Sequence, residues 1–214
     1  MISSHRRSMS KFVKREVYYF DEPGEQNTDL VIEAVVKRLE AGGVRKVIVA
    51  STSGETAVKF AHSLQGKGEL VSVSEAPYRH EAWGEKWPCL QEGYKEELKK
   101  LGAVVVDQAP YVFHSSVLER SLWGSLSPEQ LVKETLYSFG QGLKVAVEVA
   151  LITVSCGYIA PYEDVIGVAR SGKGADTAIV LRATYPATMF TKEANKRLEI
   201  KEIIAMPISK EWWV

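Results

Sequence analysis

The sequence predicts an α/β fold, and three observations carry that prediction. Short β-branched runs alternate with helically spaced segments through the first half of the chain, in the pattern β-α-β-α-β-α-β. The run "KVIVAS" (46–51) is apolar almost throughout, as suits a strand of a parallel sheet covered on both faces. The first two helical segments stop at glycines, Gly42 and Gly43 and then the "QGKG" stretch, before the next strand begins. Right-handed crossovers between the parallel strands are expected.

The elements are justified in chain order. "REVYYF" (15–20) is a β-branched and aromatic run and predicts a strand. "DEPGEQNT" is a turn punctuated by Pro23 and Gly24, and Asn27 or Thr28 can cap the next element. In that element Leu30, Val31, Ala34, Val35 and Leu39 recur at helical spacing. After the 46–51 strand, "ETAVKFAHSL" reads as helix and "ELVSVSEA" as strand. "PYRHEAWGEKWPCLQEG" is a polar, aromatic loop, followed by the helix "YKEELKKLGA" and the strand "AVVVDQA". "SPEQLVKETLYSFG" opens with a Ser127 cap and with Pro128 at the first helical position. "LKVAVEVALITVSCG" is rich in β-branched residues, but it is too long for a strand and ends at Gly157. It therefore reads as a buried helix. "DVIGVARS" and "DTAIVLRAT" predict two strands joined by "GKGA", and "EIKEIIAMP" predicts a last strand.

Composition excludes several functions. The chain has 214 residues, 45% hydrophobic and 25% charged, enough for one packed domain over 15–214 behind a flexible basic tail at 1–14. Lys and Arg number 27, and so do Asp and Glu, which gives no electrostatic case for nucleic acid or an anionic membrane. No stretch offers the roughly 18 uninterrupted apolar residues of a membrane span. The best, "VAVEVALITVSCGYIA", is broken by Glu148. Cys89 and Cys156 are too few for a disulfide scaffold and fit a reducing, cytoplasmic setting. Their spacing matches no metal motif. The sequence does not decide between a monomer and a homo-oligomer.

The chemistry concentrates in two loops. "STSGET" (Ser51, Thr52, Ser53, Gly54, Glu55, Thr56) lies between a strand and a helix start. Free N–H groups and the positive end of the helix dipole converge there, the hydroxyls add donors, and Gly54 allows close approach of a ligand. Together these suit a phosphate. The alternative is that Ser53 or Thr56 only caps the helix. The second loop, "GVARSGKGADTA", nearly spells a P-loop, with Gly167, four residues, Gly172 and Lys173. Gly174 stands where a Ser or Thr must follow, and the next element is a strand, so an NTPase is rejected. Arg170 and Lys173 can neutralise phosphate there, unless the stretch is a plain hairpin turn. Elsewhere, His114 follows a strand end and is a candidate ligand contact, while Glu119 and Arg120 read as an ion pair. The His114–Ser115 pair lacks the third group and the elbow of a hydrolase. Glu148, on an apolar helix, requires a partner, either a ligand or a basic residue. Cys156 reads as buried and His62 as a surface helix residue.

"RKVIVASTSGETAVKFAHSL" resembles the effector-phosphate loop of the C-terminal domain of pyruvate kinase. A closer resemblance is to a small, mostly archaeal family of stand-alone proteins built on that fold. It rests on "VYYFDEPGEQNT", "VIVASTSGETA", "HSSVLERSL", "LKVAVEVALITVSCGYI", "GVARSGKGADTAIVLRAT" and "EIKEIIAMP", in that order. The resemblance implies a three-layer α/β/α sandwich with a mixed, mainly parallel sheet, and bound FMN. It implies a cofactor site made by Ser51–Thr56 and the late loop of Arg170, Ser171, Gly172, Lys173, Gly174, Ala175, Asp176 and Thr177, to which the strand-end position adds His114 as a candidate. The loop carrying Trp83 and Trp87 departs from the family pattern. The resemblance brings a ligand but no reaction. Two functions stand as expectations: a protein that senses or stores FMN or another phosphorylated ligand, and a flavin-dependent oxidoreductase or flavin reductase.

Overall fold

Apolar alternation along the central strands divides the molecule into layers. The computed structural model describes residues 12–76, 88–108, 111–113, 127–170 and 172–211. The strands are β1 (Tyr18–Phe20), β2 (Lys46–Ala50), β3 (Glu69–Val73), β4 (Val104–Val106), β5 (Asp164–Ala169), β6 (Thr177–Arg182) and β7 (Glu199–Pro207). They form one sheet in the order β1-β7-β6-β5-β2-β3-β4. Only β6 runs antiparallel to its neighbours, so the sheet is mixed and mainly parallel. Val47 and Val49 of β2, with Ile166 and Val168 of β5, face a core shared with α1 (Thr28–Glu40), α2 (Glu55–Leu64) and α3 (Glu92–Lys100). Ile48, Val165 and Ile179 face the opposite core, built with α5 (Gln141–Ser155). Val132 and Leu136 of α4 (Pro128–Tyr137) pack against that core as well. Helices thus cover both faces, giving a three-layer α/β/α sandwich.

Local chemistry explains the elements that position the cleft. The Ser127 hydroxyl accepts from the Gln130 backbone N–H at 3.3 Å, and the Gln130 side chain accepts from the Ser127 N–H at 3.3 Å. This capping box, with Pro128 behind it, fixes the start of α4. In α5, twelve of the fifteen residues are buried. Packing therefore overrides the modest helix propensity of its valines and isoleucine. Gly167 makes this packing close, since a Cβ there would lie 2.7 Å from the Ala146 carbonyl oxygen. The glycine of the near-P-loop pattern is thus a helix-to-sheet contact. Gly157, at φ 77°, ends the helix as expected.

Several boundaries differ from the sequence reading. β1 begins at Tyr18, and Arg15 instead approaches Glu202 at 3.6 Å. α3 begins at Glu92, ahead of the expected Tyr94, and β4 is only three residues long. Cys156 is exposed, contrary to the expected burial, because it follows the last turn of α5 as the chain leaves the core. His62 is exposed as expected and contacts Glu97 at 2.8 Å. The His114, Ser115, Glu119–Arg120, Ser171, Trp83 and Trp87 readings fall on residues outside those described, as does most of the expected basic tail.

Candidate functional site

A crevice opens in an open α/β sheet where successive connections change face. Here that point lies between β2 and β5. β2 leads through α2 along one face to β3, whereas α5 lies on the other face and leads into β5. β2 and β5 are parallel, with Val47 opposite Ile166 and Val49 opposite Val168, so their C-terminal ends lie side by side. Because β6 reverses direction, the β5–β6 loop turns at that same edge. The structure therefore brings together two loops that are distant in sequence. A cleft of about 460 Å³ lies there, with Ser51, Thr52, Ser53, Glu55 and Thr56 on one wall. Arg170, Gly172, Lys173 and Gly174 form another wall.

The first loop is held by its own hydroxyls. Ser51 Oγ accepts from the Ala57 N–H at 3.2 Å, and Ser53 Oγ accepts from the Glu55 N–H at 3.4 Å. Both serines thus satisfy first-turn donors of α2, so of the two capping candidates Ser53 serves in part, while Gly54 holds the N-cap position and Thr56 lies inside the helix. As acceptors, they each retain a hydroxyl proton to donate. Thr52 Oγ1 donates to Glu75 Oε1 at 3.2 Å, and Ser74 Oγ donates to the Thr52 carbonyl at 2.8 Å. Gly54 has φ 100° and does not line the cleft. A Cβ there would lie 2.7 Å from Tyr94 Cβ and 2.8 Å from Leu90 Cδ1. The glycine serves a left-handed turn packed against α3, rather than ligand approach.

The second loop divides its residues between wall and foundation. Lys173 is 74% exposed, and its Nζ lies 3.8 Å from Glu55 Oε2, which ties the two loops together at the mouth. Arg170 is largely buried and turned inward. Its Nη1 donates to the Lys173 carbonyl at 2.6 Å, its Nε lies 3.3 Å from Asp176 Oδ2, and its Nη2 lies 3.8 Å from Glu211. Its guanidinium therefore buckles the loop. Ala175, Asp176 and Thr177 are buried and do not line the cleft. The Ala175 N–H donates to Thr28 Oγ1 at 3.0 Å, and a Cβ on Gly174 would lie 2.6 Å from that same oxygen. Asp176 accepts from the Thr177 hydroxyl at 2.8 Å and from the Gly24 N–H at 3.3 Å. Burial pushes its carboxyl above the ordinary value, against the opposing pull of Thr177, Arg170 and Gly24.

Of the third wall, the sequence reading singled out Glu148 alone. Gln141, Lys144, Val145, Glu148, Val149 and Ile152 form one stripe of α5 facing the cleft. Lys144 Nζ donates to Glu148 Oε2 at 2.5 Å, and both side chains are almost wholly buried. Glu148 Oε1 accepts from the Val112 and Phe113 N–H groups at 3.1 and 2.9 Å. The Lys144 ammonium also lies 5.9 Å from the Phe113 ring centre and 5.7 Å from that of Tyr137. Glu148 thus has a basic partner one turn earlier on its own helix. Among the described residues, no group of His, Cys, Asp and Glu is arranged to hold a metal ion, and no helix is long and apolar enough to cross a membrane. No family model matches the chain.

Proposed function

We propose that this protein binds a phosphorylated small molecule in the cleft between β2 and β5, and that FMN is that ligand. The observation that carries the reading is the convergence of the Ser51–Thr56 loop, at the N-terminus of α2, with the Lys173-bearing loop around one cleft. The positive end of the α2 dipole, the serine hydroxyls and the Lys173 ammonium suit a phosphate there. The cleft also suits a ring, because Val73, Val145, Val149 and Ile152 supply apolar wall. A cleft of about 460 Å³ falls within the roughly 300–1,000 Å³ typical of small-molecule sites. The resemblance to the mostly archaeal, FMN-holding family supplies the identity of the ring.

Sensing or storage is the favoured role, since the Ser51–Thr56 loop resembles one that holds an effector phosphate in pyruvate kinase. Bound FMN would supply electron-transfer chemistry, so a flavin-dependent oxidoreductase is the second reading. The titratable groups Cys89, Tyr111 and Tyr137 on the cleft wall favour it. Anaerobic mixing of the flavin-loaded protein with NADH or NADPH separates the two, because bleaching with turnover marks an enzyme.

The ligand reading predicts that FMN binds well over tenfold more tightly than riboflavin, since each lost charge-assisted hydrogen bond costs ~1.5–3 kcal/mol. Flavin fluorescence titration measures both affinities. Equal values would remove the phosphate assignment.

A further inference from the structure

We propose that Asp176 is a positioning residue for the cleft: its negative charge, acting through Arg170, holds the Gly172–Gly174 rim in shape, and acid releases that rim. The consequence for binding rests on the cleft being the ligand site, whereas the rim itself can be followed with no ligand present.

A chain of contacts carries it. Asp176 is 3% exposed and does not line the cleft. Arg170 does line it, with its Nε 3.3 Å from Asp176 Oδ2. The same guanidinium donates from Nη1 to the Lys173 carbonyl at 2.6 Å. Gly172 and Gly174 flank that carbonyl at φ 100° and φ 82°. Two left-handed glycines give the turn little stiffness of its own, so an anchor outside it decides its shape. Arg170 supplies that anchor, and Asp176 fixes Arg170.

The groups facing Asp176 differ in whether they need its charge. The Gly24 N–H at 3.3 Å and the Thr177 hydroxyl at 2.8 Å can donate to a neutral carboxyl or an amide as well. From α5, Gly142 comes so near that a Cβ would lie 2.9 Å from Asp176 Oδ1, and it brings no charge. After β7, Lys210 faces the carboxylate, but its ammonium donates to the Pro207 carbonyl and it does not line the cleft. Glu211 carries like charge and lies 3.8 Å from Arg170 Nη2, with 58% of its side chain exposed. Asp176 is therefore the buried anion that balances Arg170, whose own side chain is only 15% exposed. A buried cation without its anion is strongly unfavourable. A neutral Asp176 thus favours arrangements in which Arg170 turns to water and lets the Lys173 carbonyl go. Burial holds the Asp176 carboxyl above its ordinary value, so this release begins at a higher pH than an ordinary aspartate would set. The rim is shaped where Asp176 is ionised and loosens as pH falls through the raised value.

Asp176→Asn keeps the shape and removes the charge, so it tests the inference. With no ligand, at neutral pH, trypsin should cut this variant after Lys173 about tenfold faster than wild type, because cleavage tracks the open fraction of the loop. Its melting temperature should equal or exceed that of wild type, since folding favours the neutral group. In the wild type, the Ala175 N–H, bonded to Thr28 Oγ1 at 3.0 Å, reports the same loop. Its exchange, corrected for the intrinsic effect of pH, should lose protection in acid while β2 amides keep theirs. FMN should bind the wild type about tenfold more tightly than the variant at neutral pH, and the gap should close in acid. The phosphate of FMN also titrates, at about pH 6, but does so equally for both proteins. Equal cutting of the two proteins, or faster cutting with a lowered melting temperature, overturns the inference. Tighter FMN binding by the variant overturns it too. If the variant fails to fold, the wild-type exchange decides alone, and unchanged Ala175 protection in acid overturns the inference. If cutting and exchange behave as expected but FMN binds neither protein, the rim assignment stands and the FMN reading falls.

Discussion

Arg170 and Lys173 share a loop but not a role. Lys173 presents its ammonium at the mouth of the cleft, whereas Arg170 fastens the loop to Asp176 and to the Lys173 carbonyl. Lys173→Ala should weaken FMN binding by ~0.2–1 kcal/mol, and the loss should shrink as salt rises. Arg170→Ala should weaken binding with little dependence on salt and should lower the melting temperature, because it leaves the buried Asp176 carboxylate without its cation. Affinities at low and high salt, with melts of both variants, test this. A salt-sensitive Arg170 effect with an unchanged melt would restore the direct phosphate grip that the sequence suggested. Asp176 makes a separate prediction. Its folded-state pKa is raised by burial above the ordinary value of 3.8, so the folded chain holds this proton more tightly than the unfolded chain. The stability it contributes is full in acid and is lost as pH rises from that ordinary value through the raised one. Asp176→Asn should remove that decline, and denaturant melts across the acid range should show a flatter profile than wild type. At this scale the sequence revealed residue types but not their directions. Gly54 and Arg170 were visible as candidates, yet which way each points depends on Tyr94, Leu90 and Asp176, which only the fold brings near.

At the scale of elements, strong local chemistry was readable. The Ser127–Pro128 start of α4 is such a case. Ser127→Ala should cost about 1 kcal/mol and lower the melting temperature accordingly, since it removes the acceptor for the Gln130 N–H. A melt indistinguishable from wild type would mean that packing of α4 on α5 alone sets its stability. α5 was readable from length and its closing glycine, despite its β-branched content. Its Lys144–Glu148 pair was readable too, because four residues is the spacing of helical neighbours, but attention to Glu148 alone hid it. Gln141 was not readable, since nothing in a sequence says that an amide oxygen will be buried without a donor. Strand lengths were overdrawn at β1 and β4, the two edge strands, each of which pairs with its one neighbour over three residues.

At the scale of the molecule, the alternation of elements foretold the α/β class, and the late "GKGA" turn foretold the antiparallel β5–β6 pair. The strand order was beyond reach, because it depends on which strands meet and not on their composition. That order has a consequence for how the protein matures. The two rims of the cleft follow neighbouring strands that lie far apart along the chain, and joining them carries the entropic cost of closing a long loop. No chain in which β5 and β2 are still apart can offer both rims, so affinity for the occupant arises only once β5 has docked against β2. An occupant then favours forms in which β5 and β2 are paired over those in which they are apart, by an amount that grows with its concentration relative to its dissociation constant. In a growing chain, the site would act as a check that β5 has found β2, reinforced by what it binds.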